Sequence, residues 1–267
     1  MANTCSSTTI NCLILKFNCF AHLNSTLKKS FPLQILFQDE HLLIVNKASG
    51  DVVIPERNGA RENSLVGKLE AEFGKIFVVH RIDKPTSGIV CFAKDEDTHR
   101  SLSMMFESRK IEKEYLAIVK GKVKPEKGTV DFALAENLAK PGTMKVHARG
   151  KDAITDYEIL EQFKHAALVK FVIHTGRMHQ IRVHAATIGN PLLVDDLYSG
   201  SSEFFISKFI PKYKATESSE RPTIARLTLH ASTIGFIHPA TNKKLVVTAP
   251  LPKDLDVLLK LLRKHDA

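Results

Sequence analysis

The chain has 267 residues, 43% of them hydrophobic and 25% charged, values of a folded globular protein rather than a disordered one. Its 38 Lys and Arg against 29 Asp and Glu leave a net charge of +9, which favours a polyanionic partner, RNA or DNA first. No apolar run approaches the ~18–20 residues of a membrane span. Cys5, Cys12, Cys19 and Cys91 have neither a disulfide-framework nor a zinc-knuckle spacing, so a reducing, cytoplasmic setting is expected.

Residues 1–32 contain no Asp or Glu, and their only cations are Lys16, Lys28 and Lys29. The stretch CLILKFNCF is too short for a span, lacks the preceding cations of a secretory signal, and the segment has no arginines for a transit peptide. A weakly ordered extension is expected there, followed by a catalytic domain over residues 33–265.

From residue 33 the pattern becomes regular. LQILFQDEHLLIVNKASG reads as two strands, and ENSLVGKLEAEFG as a helix capped by Asn63 or Ser64 and stopped by Gly74. Strands at Ile76–Val79 and Gly88–Ala93 flank the charged turn HRIDKPTSG. A second helix is expected near Asp97–Ser108, then the strand KEYLAIVKG and a strand-rich middle through Asp152. In AALVKFVIHTG, Val169, Phe171 and Ile173 alternate with Lys170 and His174, as a half-buried strand requires. A short helix from about Met178 to Ile188 follows, then the hairpin IGFIHPATNKKLVVTAP and a closing helix opened by Pro252. That last helix carries Leu255, Leu258, Leu259 and Leu262 on one stripe, which makes it core. The sum is an α+β fold with a mixed, largely antiparallel central sheet, flanking helices and an active-site cleft.

Two constellations carry chemistry. In HRIDKPTSG the carboxylate of Asp83 lies between Arg81 and Lys84, where one strand has ended and the chain turns. In TGRMHQIRVHAATIG, helical spacing places Met178, Ile181, Ala185 and Ile188 on one stripe and His179 and Arg182 on an adjacent face. His179 and His184 are five apart with no acid between them, so a zinc pair at i, i+4 is not matched and no metal is expected. Arg177, His179, Gln180 and Arg182 form instead an anion-reading face, with a solvated basic helix side as the alternative.

The motifs taken together resemble the RluA-type pseudouridine synthase family over about residues 33–265. HRIDKPTSGIVCFAK, KEYLAIVKG, TGRMHQIRVHAATIGNPLLVDDLYS and LHASTIGFIHP with TAPLP stand in the family's order. The chain departs from the family pattern at Ala48, Met178 and Asn190. The resemblance implies isomerisation of specific uridines in structured ribosomal or transfer RNA, with no cofactor. It implies Asp83 as the carboxylate that attacks C1′ or takes the C2′ proton, Arg182 as its cation, and Tyr115 against the uracil. Arg81 and His80 match positions beside the flipped nucleotide, and Lys84, Lys113 and Arg177 are candidate backbone contacts. Many relatives carry an N-terminal S4 domain; residues 1–32 are too short and too poor in charge to be one, and a monomer is expected. The rivals are a glycosidase, which needs a second positioned acid, and an inactive RNA-binding protein of the same fold. Finally, residues 199–222 mix Phe204, Phe205, Phe209 and Tyr213 with Lys208, Lys212, Lys214 and Arg221. They read either as an RNA-stacking segment or as an amphipathic helix with its Phe residues turned inward.

Overall fold

The structure is a computed structural model that describes residues 33–209 and 220–266. The expectations for residues 1–32, and for Lys212, Tyr213 and Lys214, lie outside them. The first hairpin pairs β1 (Gln34–Gln38) with β2 (Leu42–Lys47) about Asp39, whose carboxylate accepts the amides of His41 and Leu42. The helix α1 (Leu65–Phe73) begins at Ser64, whose hydroxyl accepts the Gly67 amide, and ends at Gly74 with φ 77°. After the short β3 (Phe77–Val78), β4 (Ser87–Ala93) is buried along its whole length. The carboxylate of Asp95 caps α2 (Glu96–Glu107) by accepting the Thr98 amide.

The remaining strands are β5 (Glu112–Lys120), β6 (Lys127–Asp131), β7 (Leu134–Glu136), β8 (Met144–Val146), β9 (Ile154–Gln162), β10 (Ala166–Ile173), β11 (Leu229–Ile237) and β12 (Lys244–Thr248). Helix α3 (Gln180–Thr187) follows β10, and α4 (Lys253–His265) closes the chain. One sheet runs β1-β2-β4-β11-β5-β10-β9-β6, with β3 also on β4 and β12 also on β11, while β7 and β8 form a separate hairpin. Every pairing in the large sheet is antiparallel except β4 with β11. This is the expected α+β architecture.

The exception positions the site. β4 meets β11 through only His230↔Ser87 and Ala231↔Gly88, so the turn that ends in Thr86-Ser87-Gly88 feeds into the middle of the sheet. Gly88 has φ 117°, and a Cβ there would collide with the backbone of Ala231. Both the positive φ and the close approach demand glycine. Ser87 fixes the same point from its side chain, 3.0 Å from Nδ1 of His230.

The two faces of β5 and β10 build two cores. Ala117, Val119, Val169, Phe171 and Ile173 pack with Ile181 and Ala185 of α3. Ile118, Ala166 and Leu168 pack on the other side with Leu255, Leu258, Leu259 and Leu262 of α4. Tyr115 packs against the α3 face, as the alternation along β5 dictates. Of the described residues after Ser199, Phe204 and Ile206 are buried in the α4 cluster, and Phe209 meets the Phe204 ring at 4.7 Å. Among the described residues of that segment a 3-10 turn forms at Ile206–Lys208, rather than the amphipathic helix considered as the alternative. The alternative of inward-facing aromatics holds at Phe204, whose ring is buried, so base stacking by Phe204 is corrected; Phe209 is half-buried against it. Among the described residues no helix is long and apolar enough to cross a membrane.

Candidate active site

The charged turn between β3 and β4 folds under the mouth of a cleft of about 560 Å³ lined by Arg57, Arg81, Asp83, Lys84, His179, Arg182 and Asp196 among others. A smaller inner pocket of about 80 Å³ adjoins it and adds Thr86, Tyr115, Arg177 and Leu229 to Asp83 and Arg182. The turn is held from below by Lys47, a fully buried ammonium. Its three protons go to the carbonyls of Ala48, Asp51 and Lys84 at 2.8–3.0 Å. Burial pushes its pKa down to about 8, against the pull of Asp51 and Asp83. The Ser49 hydroxyl donates to the Pro85 carbonyl at 2.7 Å, and the Gly50 amide to that of Lys84, so the NKASG segment is clamped to the Asp83 turn.

Asp83 is part-exposed, with 27% of its side chain open to solvent, and its Oδ2 lies 3.8 Å from Nη1 of Arg182 and 3.8 Å from Nε2 of His179. Arg182 is almost fully buried, at 2% exposure. Its Nε and Nη2 edge is taken by a bidentate pair with Asp195 at 2.8 and 2.7 Å, which leaves Nη1 for Asp83. Burial alone would lower the Arg182 pKa; the hydrogen bonds and charge of Asp195, with Asp83 behind them, raise it instead. The alternative of a solvated basic helix side therefore does not hold at Arg182. Asp195 in turn accepts the amides of Leu197 and Tyr198, so its carboxylate is saturated.

The helix α3 starts later than the sequence suggests. His179 is its cap in the left-handed region, φ 56°, and Met178 precedes it, exposed rather than on the apolar stripe. A left-handed non-glycine is costly by roughly 1–2 kcal/mol and is held here by its contacts. His179 Nδ1 lies 2.8 Å from the Tyr198 hydroxyl, and the Arg182 guanidinium sits over the Tyr198 ring at 5.1 Å. Burial and the Arg182 charge lower the His179 pKa against the pull of Asp83.

The other expected site residues divide clearly. Tyr115 lines the inner pocket with Asp83, and burial followed by the Asp83 charge pushes its phenol pKa up, so it stays protonated and offers a ring face and a hydroxyl rather than a base. Arg81, exposed, and Arg177 line the same pocket, the latter with Nε donating to the Asp152 carbonyl at 2.9 Å. Lys84 lies in the cleft wall and pairs with Glu56 at 2.8 Å.

His80, Lys113 and Gln180 are placed differently from the RNA contacts expected of them. His80 accepts the Cys91 amide on Nε2 at 2.9 Å and stacks on Phe106, and burial pushes its pKa down to about 3, so it stays neutral and turned to the core. Lys113 lies over the Phe106 ring, outside both pockets. Gln180 reaches the inner pocket but spends its amide on Ile154, Thr155, Thr175 and the Arg177 amide. His184 is likewise saturated by Thr155 and the Phe132 carbonyl, which takes it away from His179.

Sequence reasoning missed Lys47, Asp195, Tyr198 and Thr86. The Thr86 hydroxyl is buried on the inner pocket with no partner among the described atoms, a spare hydrogen-bonding group beside Asp83. The signals were present: NKASG and VDDLYS both stand inside or beside quoted motifs, and an arginine on a core-facing helix demands a carboxylate nearby. Asn190, where the family pattern has histidine, donates its amide to the carbonyls of Lys120 and Lys122 and so ties α3 to β5.

Comparison with known proteins places the chain in a family. The sequence model described as RNA pseudouridylate synthase matches residues 41–187. The chain is similar to ribosomal large subunit pseudouridine synthase D of Blochmanniella floridana, 36% identical over 89% of this chain and 75% of that protein. It is similar also to the enzyme of that name from Zymomonas mobilis, 37% identical over 88% of this chain and 74% of that one. The solved structure of human RNA pseudouridylate synthase domain containing 4 superposes with a TM-score of 0.70 at 26% identity, over 86% of this chain and 93% of that one. With HRIDKPTSG turned into the cleft and TGRMHQIR delivering Arg182 to it, the chain belongs to the RluA-type pseudouridine synthase family and is an RNA pseudouridine synthase.

Proposed function

We propose that Asp83 is the carboxylate that acts on the target uridine, with Arg182 as its counter-cation and Tyr115 against the base. The observation that carries this is the single carboxylate at the junction of the two pockets, 3.8 Å from the one guanidinium nitrogen that Asp195 leaves unbonded. Asp196 and Glu56 are the other acids in the cleft wall, but Asp196 is exposed and turned to the same guanidinium at 3.5 Å, and Glu56 is exposed and paired with Lys84 at 2.8 Å, so neither offers a positioned second acid for simple hydrolysis. Forming pseudouridine breaks N1–C1′, turns the held uracil, joins C5 to C1′, and exchanges the C5 proton for one on N1, so that product and substrate are isomers. Carboxylate addition at C1′ or proton removal at C2′ both start from ionised Asp83 in this position. The base leaves its stack at a cost of a few kcal/mol to reach it, and Arg81, exposed at the lip, is placed to fill the gap. Arg57, Lys84 and Arg177 supply phosphate contacts at the rim. We infer further that residues 33–265 form the catalytic domain and residues 1–32 an extension. The enzyme acts as a cytoplasmic monomer without cofactor on ribosomal or transfer RNA, as the names of the related ribosomal large subunit enzymes suggest.

The test is tritium release from 5-labelled uridine, in the presence of chelator, with ribosomal and transfer RNA taken from cells lacking the enzyme. Release from one fraction, mapped to discrete uridines, is expected. Asp83→Asn abolishes it while RNA affinity stays within a few-fold. Normal turnover by Asp83→Asn would refute the assignment, and no release from either fraction would refute the substrate class.

A further inference from the structure

Resting on the reading of Asp83 above, we propose that Tyr198 is a positioning residue that fixes His179 in its Nε2–H tautomer, so that a neutral donor, not a lone pair, faces the Asp83 carboxylate. The argument follows the protons. The Met144 amide donates to the Tyr198 oxygen at 2.8 Å, which occupies a phenol lone pair. The phenol then has one proton to give, and its remaining close partner is Nδ1 of His179 at 2.8 Å. Giving it there satisfies all three groups; the opposite arrangement, with Nδ1–H donating, leaves the phenol proton without an acceptor among the described residues. With Nδ1 accepting, the ring's own proton sits on Nε2, which lies 3.8 Å from Oδ2 of Asp83. The tautomer thus follows from one hydroxyl.

The charge arrangement needs a neutral ring. Arg182 already presents Nη1 to the same oxygen at 3.8 Å, and a second full cation beside it would meet that guanidinium as well as Asp83. A neutral Nε2–H stabilises the carboxylate without that repulsion. Both donors converge on Oδ2, so Oδ1 is the oxygen left for the sugar. The distance of 3.8 Å is longer than a hydrogen bond, so the donor is poised and closes on the carboxylate when RNA excludes water. The groups that face His179 are Asp83, Arg182, Asp195, Asp196 and Tyr198.

The relay also has an origin outside the cleft. Met144 opens β8, in the separate hairpin that carries exposed Lys140, Lys145 and Arg149. Tyr198 therefore joins a basic arm to the carboxylate through two side chains, and its ring stays over Arg182 whether or not the hydroxyl is present.

The experiment uses the full chain with ¹⁵N-labelled histidine. Two-bond ¹⁵N–¹H spectra are expected to show His179 in the Nε2–H form in the parent protein and as a tautomer mixture in Tyr198→Phe, with the fold retained by circular dichroism. The single-turnover rate of Tyr198→Phe on substrate RNA falls on the order of tenfold or more, the size that supporting partners of functional groups commonly show, with RNA Kd unchanged. His179→Gln keeps an N–H donor toward Asp83 that needs no tautomer, so Tyr198→Phe added to it costs little further rate. A single Nε2–H tautomer in Tyr198→Phe, or equal rate losses in both backgrounds, overturns the relay. The spectra need no turnover, so failure of the Asp83 assignment, seen as an active Asp83→Asn, is read separately from failure of the relay.

Discussion

Arg182 shows how a residue's surroundings decide its chemistry. Its guanidinium is too deeply buried to exist without a counter-charge, and Asp195 supplies one with both oxygens. Removing one member of such a pair leaves a buried charge alone, at about 3–5 kcal/mol. Asp195→Asn is therefore expected to lower stability toward that range in denaturant titrations and to cut turnover on the order of 10²-fold or more, because Nη1 no longer holds its direction. Asp196→Asn, 68% exposed and 3.5 Å away, is expected to change stability by less than about 0.5 kcal/mol. Equal effects of the two would contradict the geometry. That Asp83, Arg182 and Tyr115 meet at one pocket was legible in the sequence because their motifs are local runs with strong order. Asp195 and Tyr198 were not singled out, since nothing in a helix's spacing names the carboxylate or the phenol that a later turn brings back to it. His80, Gln180 and Lys113 misled for the complementary reason: a polar residue in a site motif looks like a contact until its partners are known.

Among the elements, α1 and α4 are bounded where the sequence signals place them, at Ser64, Gly74 and Pro252, while α2 starts one residue before the expected Asp97, on a cap at Asp95 that was not read. Strand β9 was not read from the sequence: its inward side holds Thr155 and Tyr157, so apolar alternation is faint, and only pairing with β6 and β10 reveals it. The parallel meeting of β4 and β11 was equally invisible, because strand order is a property of the whole sheet. Its dependence on Gly88 gives the prediction at this scale. Gly88→Ala places a methyl against the Ala231 backbone at φ 117°, so it is expected to destabilise by more than ~1 kcal/mol. It is also expected to slow turnover of the fraction that remains folded, since the displaced strand start carries the Asp83 turn with it. Circular dichroism melts and single-turnover rates on the same preparation separate the two effects. A variant that melts normally, or that loses stability but keeps its rate per folded molecule, would show that the turn does not depend on this contact.

At the scale of the molecule, acid is the expected weakness. Burial pushes His80 down to about 3 and His230 to about 4, both below the 6.5 of a free imidazole. The unfolded chain then binds more protons than the folded one between those values, so stability is whole above pH 6.5 and is lost as pH falls through the window. The slope is at most ~1.4 kcal/mol per pH unit for each ring. Melting temperature is expected to fall steadily from pH 6.5 toward 4 while the two ring signals do not titrate above pH 5; midpoints titrating near 6.5 would remove this cause. One further consequence lies in the path of the chain. Strands β1 to β4 and helix α2 come from residues 34–107, and the rest of the sheet follows the exposed turn at Ser108–Lys110. Asp83 belongs to the first stretch, while Tyr115, His179, Arg182, Asp195 and Tyr198 all belong to the second. Neither stretch can cover its own apolar side, because Leu42, Ile44, Ile89 and Cys91 pack with Ile234, Phe236 and Val247 across the join. A nascent chain released from the ribosome at that turn would thus hold the Asp83 carboxylate and none of its partners, so the acid proposed to act on uridine gains its counter-cation only as the later elements arrive to complete the sheet.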